Sequence, residues 1–380
     1  MRSFRTLSCL GVGAALGVIA LVSPLTSAYA QDEVQKLTRR LLAAPKLKAE
    51  TGFSIEVLIP PGRLYDPLWM LARDGAVWIN DDGGEEEDKG SRLLALDQKG
   101  KISVLADLGK LLPVTGFDVA PGDFGNFGGQ IFTLAQAKVS VEGATANHVI
   151  QRVDPGKNYE ASVFCTLPNA GKANQGVSGF GVDARFGPQG SPFAGKFFAV
   201  TAFNNTIYQV TADGECEPFV NFDGYRFGSP AGLGFTGDGK AMLVTVAQGE
   251  IVGNPTNKGG AIVRVTAEGK IDDTPVVEGL TRPMGLALAP QEFGPYAGQV
   301  FVTDIESIQV PVPMTQALQP DGKVYRVTPE GQLHLVASGF FNPAGVGFLG
   351  KRLWVSDING DFIAGKRELP DGFIAEIRSQ

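Results

Sequence analysis

Histidine is nearly missing from this chain of 380 residues, which has only His148 and His334. Centres built from several imidazoles are excluded, and a histidine base has two places to sit. Cysteine is almost as scarce, with Cys9, Cys165 and Cys216, so no disulfide framework replaces a hydrophobic core. Charged residues make up 19% of the chain, and 40 acids outnumber 33 bases. That balance removes the basic surface a nucleic-acid partner requires. The apolar stretch from Cys9 to Val22 falls short of the roughly 20 residues of a membrane span. No Gly-x-Ser-x-Gly elbow occurs, because Gly176-Val177-Ser178-Gly179-Phe180 lacks the last glycine; serine-hydrolase chemistry has no support.

That apolar stretch follows Arg2 and Arg5 and is followed by Ala28-Tyr29-Ala30, the layout of a signal peptide cleaved before Gln31. A periplasmic or secreted protein without stable membrane insertion is expected. Residues 1–30 hold two of the 33 bases and none of the 40 acids, leaving a mature net charge of about −9. In residues 31–50, Val34, Leu37, Leu41 and Leu42 fall at helical spacing, which predicts a short leader helix.

Glycine is abundant, 50 residues, nearly twice the average share of about 7%, as suits short strands and tight turns. A small phrase recurs, glycine followed by alternating apolar residues and a turn: Gly116-Phe117-Asp118-Val119, Gly179-Phe180-Gly181-Val182, Gly232-Leu233-Gly234-Phe235, Gly285-Leu286-Ala287-Leu288 and Gly345-Val346-Gly347-Phe348, with a divergent copy at Leu68 to Leu71. Pro230, Pro283 and Pro343 introduce three of the copies. Each phrase leads to a second apolar strand, a third with period-2 alternation such as Ile262-Val263-Arg264-Val265, and a short turn into an outer strand. Four antiparallel strands repeated at intervals of about 53–63 residues predict an all-β, six-bladed propeller over residues 51–380. The last unit lacks an outer strand, and Phe53 to Ile59 is expected to supply it and close the ring.

These phrases, together with the longer first turns Phe124 to Gly129, Phe186 to Gly195 and Phe293 to Gly298, resemble the six-bladed propellers related to NHL repeats, gluconolactonases and glucose/sorbosone dehydrogenases. The lactonase resemblance implies a metal held by a glutamate, two asparagines and an aspartate, yet Ala231, Met284 and Ala344 stand where such enzymes carry asparagine. The dehydrogenase resemblance implies pyrroloquinoline quinone, calcium, a histidine base and basic residues facing the cofactor. His148, at the end of a long loop, is the one candidate base, while His334 falls in an outer strand. Arg185, Arg226, Lys258 and Arg282 lie near blade entrances as partners for an anionic group or as ordinary surface charges.

In a propeller, the loops from second to third strands and those between blades gather at one mouth of the channel. Asp81, Asp304 and Asp357 end the second strands of three neighbouring blades. Carboxylates brought together near an axis suit calcium or another divalent cation; aspartates that cap their own loops are the alternative. The run Asp81 to Asp88 reads as a solvated acidic loop or a cation-binding rim, and Asp357-Ile358-Asn359-Gly360-Asp361 matches a calcium loop weakly, with Phe362 where that loop needs glycine. Gly232 to Gly237 fits a dinucleotide fingerprint in letters but runs into another strand instead of a helix. Cys165 and Cys216 lie at opposite ends of neighbouring outer strands and are expected to remain separate thiols.

Two classes of function stand. One is a binding module that holds a small molecule, a cation or a partner's loop at the mouth, with Phe203, Asn204 and Gln248 as ligand contacts and Asp81, Asp304 and Asp357 as metal ligands. The other is an enzyme of this propeller group, a cation-dependent lactonase-like hydrolase or a quinone-dependent sugar dehydrogenase.

Overall fold

A computed structural model describes residues 42–81, 91–108, 114–136, 148–168, 181–202, 204–247, 259–305, 320–358 and 370–380. The expected signal segment lies outside these residues. Among them, no helix is long and apolar enough to cross a membrane.

Alternating apolar residues pair into six four-stranded antiparallel sheets. From the axis outwards, blade one is Pro67–Arg73, Ala76–Asp81, Arg92–Leu96 and Ile102–Asp107; blade two is Val114–Val119, Ile131–Gln136, His148–Asp154 and Glu160–Thr166. Blade three is Gly181–Phe186, Lys196–Thr201, Thr206–Thr211 and Cys216–Asn221; blade four is Ser229–Phe235, Met242–Ala247, Gly260–Val265 and Val277–Leu280. Blade five is Pro283–Leu288, Val300–Asp304, Gly322–Val327 and Leu333–Phe340; blade six is Pro343–Leu349, Arg352–Asp357, Gly372–Ser379 and, as its outer strand, Phe53–Leu64. Each inner strand touches the next and blade six returns to blade one, so the ring is closed. The closing strand expected at Phe53 to Ile59 pairs from Phe53 with Ser379 as far as Leu64 with Gly372.

Three expectations need correction. Residues 42–50 contain no helix: Lys48–Ala49 is a short strand that extends the outer edge of blade five, with Lys48 opposite Ser338. Residues 31–41 lie outside the described residues. That pairing covers part of an edge whose backbone groups would otherwise lack partners.

The second correction concerns blade three. Every inner strand carries a bulge near its start, between Pro67 and Met70, Val114 and Phe117, Gly181 and Ala184, Pro230 and Leu233, Pro283 and Leu286, and Pro343 and Val346. Aligning the bulges puts Asp183, not Gly179, in register with Gly116, Gly232, Gly285 and Gly345, and Trp69 takes that place in blade one. At Gly232 a Cβ would run into the Met284 carbonyl of the next blade, and at Gly345 into the Leu68 carbonyl. Glycine is thus required at these two positions, where the neighbouring backbone comes too close for a side chain.

Third, Cys165 and Cys216 form a disulfide, with their Cα atoms 6.5 Å apart. Side-by-side outer strands would hold them at different heights. Blades twist by roughly 20–25° per strand, however, so three steps turn the outer strands towards head-to-tail placement. The end of blade two's outer strand then meets the start of blade three's, within an aromatic cluster of Phe124, Phe127, Phe132, Phe164, Phe186 and Phe197.

Candidate functional site

The ends of the second strands come first, because the expected cation site lies there. Asp304 is buried and accepts hydrogen bonds from the backbone N–H of Thr281 (2.9 Å) and Arg282 (2.6 Å). Asp357 accepts from Phe341 (2.7 Å) and Asn342 (3.0 Å). Asp81 accepts from Tyr65 N–H (2.9 Å) and from the Arg92 guanidinium. Each carboxylate therefore ties down the segment that enters the inner strand of its own blade, where Pro67, Pro283 and Pro343 sit opposite the three aspartates. Among the described residues, no three His, Cys, Asp or Glu side chains are grouped to hold a metal ion. Both oxygens of each carboxylate are engaged by protein donors, the loop-capping role that the sequence offers as the alternative to metal binding.

One residue earlier, the second strands of blades four, five and six carry Thr245, Thr303 and Ser356. Each hydroxyl accepts the N–H of its own blade's bulge glycine and donates to the next blade's backbone. Thr245 accepts from Gly232 (2.6 Å) and donates to Met284 O (2.7 Å); Thr303 accepts from Gly285 (2.9 Å) and donates to Ala344 O (2.7 Å). Ser356 links Gly345 N–H (2.8 Å) to Leu68 O (2.5 Å). Met284 and Ala344, the departures from the lactonase pattern, serve here through their carbonyls.

Blades two and three have Leu134 and Val200 at the hydroxyl position and join their neighbours through carboxylates instead. Asp118 accepts Val119 N–H (2.7 Å) and, across the blade boundary, Phe186 N–H (2.9 Å). Asp183 accepts Ala184 N–H (2.8 Å) and Leu233 N–H (2.9 Å) of blade four. Arg185 lies with Nε 3.5 Å from Asp183 Oδ1 and donates from Nη1 to Phe117 O (3.3 Å). Burial raises the pKa of both carboxyls, and the Arg185 charge works against that shift.

Asp118 and Arg185 also face a cavity of about 570 Å³ inside the ring. Its wall comes from the later halves of all six inner strands, and its rim from Pro290, Glu292 and Gly350. It therefore opens at the end opposite the mouth expected from the sequence. Arg185 was among the basic residues that the sequence offered for an anionic group, but Asp118 has no local signature and becomes visible only when the six bulges are aligned, because the other matching positions are Leu71, Gly234, Ala287 and Gly347.

The other predicted residues scatter. Phe203, Gln248, Lys258, Asp82, Asn359 and Asp361 lie outside the described residues. Asn204 is buried, accepting from Thr201 Oγ1 (2.6 Å) and donating to Tyr208 Oη (2.9 Å), which shapes its own turn. His148 begins blade two's third strand and is buried, which pushes its pKa down to about 4. His334 sits opposite Arg326 in blade five. Arg226 lies 3.6 Å from Glu278 and covers the Phe227 ring. Arg282 is buried, which lowers its pKa. Gly232 to Phe235 is inner strand running into a Thr236–Gly239 turn, as expected.

Pyrroloquinoline quinone is a tricarboxylate. The described channel offers it Arg185, already turned to Asp183, against the carboxylates of Asp118 and Glu292, so the donor set does not fit.

No family model matches the sequence, and no curated protein matches it either. Solved structures do match in shape. The pyrroloquinoline-quinone-bound aldose sugar dehydrogenase of Streptomyces coelicolor aligns with 88% of this chain and 100% of its own, at 14% identity and a TM-score of 0.55. The soluble aldose sugar dehydrogenase of Escherichia coli aligns with 86% and 100%, at 14% identity and 0.54. A gluconolactonase from Xanthomonas campestris aligns with 89% and 95%, at 11% identity and 0.52. At these identities the likeness is one of fold, and the chain is a six-bladed β-propeller of the shape those sugar dehydrogenases and that gluconolactonase share.

Proposed function

We propose that the protein is an exported binding module that holds a small molecule in its central channel. The observation that carries this reading is the cavity of about 570 Å³ on the propeller axis, within the 300–1,000 Å³ of ordinary ligand sites. Its wall is largely aliphatic, with polar groups concentrated on blades two and three. A few placed polar groups on an apolar wall give a ligand orientation as well as affinity.

A ligand screen by thermal shift tests the proposal, with aldoses, lactones, small amines, calcium and pyrroloquinoline quinone at millimolar concentration. A bound compound raises the melting temperature by mass action. The shift should vanish in Gly347→Leu, which fills the channel: a Cβ at Gly347 makes only ordinary contact, 3.6 Å from Met70 Cβ. Ala287→Leu serves as a second plug. Shifts that survive both plugs, or no shift from any compound, overturn the channel reading. Aldose oxidation with added quinone and calcium, or lactone hydrolysis, would replace it with the enzyme reading.

A further inference from the structure

We propose that the channel receives a small organic cation, an amine or guanidinium compound with an apolar body, whose charged head sits at Asp118. The inference rests on the channel-binding reading above and adds the class of ligand.

The wall is sorted by side. In a six-bladed ring, blade two faces blade five and blade three faces blade six. Asp118 and Arg185 therefore look across the axis at Ala287 and Gly347, the small residues in the matching positions. Beside them, Met70, Leu233, Leu286 and Val346 line the channel. A charged wall opposite a small-residue wall leaves room for a head group next to the carboxylate, and the aliphatic side chains are left to contact an apolar body.

The charges near the head position do not cancel at Asp118. Arg185 directs its Nε to Asp183 and its Nη1 to Phe117 O, while Asp118 makes no ion pair among the described residues. Its two oxygens each take one backbone N–H, from Val119 and Phe186, and a carboxylate oxygen has capacity for a further donor. Asp118 lies deep in the ring but keeps part of its surface open to the channel. Of the other charged groups nearby, Arg73 pairs with Asp74 at 3.5 Å, and Glu292 stands exposed at the rim. A neutral polyol would require several convergent side-chain donors and acceptors, and the polar side chains of this wall are the charged Asp118 and Arg185, with Glu292 at the rim. A divalent metal would require more oxygens than one carboxylate supplies. A chain of formal net charge −7 also draws cations towards its openings.

Burial raises the Asp118 pKa, and a bound cation favours the ionised form. Binding should therefore release a proton, and affinity should rise with pH as Asp118 ionises. Asp183, Arg185, Arg73 and Glu292 are the charged groups that set where this occurs.

Titration calorimetry with butylammonium and agmatine, against 1-pentanol and butyrate as uncharged and anionic controls, tests the inference. The ammonium and guanidinium probes should bind and the controls should not. The enthalpies in two buffers of different ionisation heat should differ by the released proton. Binding should weaken about tenfold or more in Asp118→Asn, and it should vanish in Gly347→Leu. Should Asp118→Asn fold poorly, Ala287→Lys sets a competing ammonium across the channel from Asp118 and should abolish binding by itself. Cation binding that is indifferent to both Asp118→Asn and Ala287→Lys overturns the inference. So does equal binding of 1-pentanol or butyrate that the plug removes, and that result leaves the channel reading standing. Binding of no probe, with a plug-sensitive shift from another compound in the screen, overturns the cation class alone; no plug-sensitive compound at all overturns both.

Discussion

Asp304→Ala is the substitution that best separates a carboxylate holding its own loop from one waiting for a metal. The change leaves the buried N–H groups of Thr281 and Arg282 without their acceptor. Hydrogen bonds to a charged partner contribute about 1.5–3 kcal/mol each, and an unsatisfied buried donor costs about 1–3 kcal/mol. Two such bonds predict a loss of about 3–5 kcal/mol. At about 2 °C per kcal/mol for a domain of this size, the melting temperature should fall by about 6–10 °C. Asp304→Asn keeps one acceptor oxygen and should lose about half as much. Glu330→Ala, on an exposed turn, should stay within about 0.5 kcal/mol of the parent. Scanning calorimetry with excess chelator and with added calcium completes the measurement. The loss should be the same in both conditions, because its source is backbone hydrogen bonding. A calcium-dependent stabilisation of the parent that Asp304→Ala and Asp357→Ala both abolish would refute the reasoning and restore the cation site.

Three further outcomes are expected. His148 has its pKa lowered from 6.5 to about 4, so the unfolded chain binds its proton first as pH falls. The stability this group provides is complete above pH 6.5 and is lost towards pH 4, by about 3 kcal/mol at about 1.36 kcal/mol per unit; denaturant melts of His148→Gln over that range should show a correspondingly flatter profile. Reducing the disulfide, which joins cysteines 51 residues apart, should cost up to about 4 kcal/mol on the loop-entropy estimate, read as a lower urea midpoint, and thiol titration of the unreduced protein should find neither cysteine. Thr303→Val removes the acceptor for Gly285 N–H and the donor to Ala344 O, and should cost about 2–4 kcal/mol, whereas Thr303→Ser should recover most of it; a loss in Thr303→Ser with none in Thr303→Val would show that the methyl group, not the hydroxyl, matters.

The propeller was legible because its blades repeat a pattern that backbone geometry enforces. Ile262-Val263-Arg264-Val265 alternates as a strand must, and Pro283 and Pro343 mark inner strands that begin without a free N–H. Blade three was misaligned because Gly179 and Gly181 imitate the repeat phrase, while the true bulge position holds Asp183. Aspartate is tolerated there because its carboxylate reaches Leu233 N–H in the next blade, a contact between residues far apart in sequence. The disulfide depended on the twist of whole blades, which no local pattern encodes. Asp81, Asp304 and Asp357 were correctly located at strand ends, but only the structure shows which donors they meet. Arg185 was named among the candidate basic residues, but its pairing with Asp118 was not legible, because the two share a column with leucine, alanine and glycine that cannot be drawn until the bulges are aligned.

The pairing of Phe53–Leu64 with Gly372–Ser379 has a kinetic consequence. Arg378 reaches Glu56 across 322 residues of sequence, so the ring cannot shut until its last strand has emerged and found one made about 320 positions earlier. By the logarithmic law for loop closure, that search costs about 5 kcal/mol of chain entropy plus a constant. Blades one to five can form from neighbouring segments, but the clasp must come last and slowly. A chain halted before Gly372 would hold an open arc with two raw sheet edges, a form suited to sticking to its copies. The strand that closes the ring is thus the one whose pairing covers those edges.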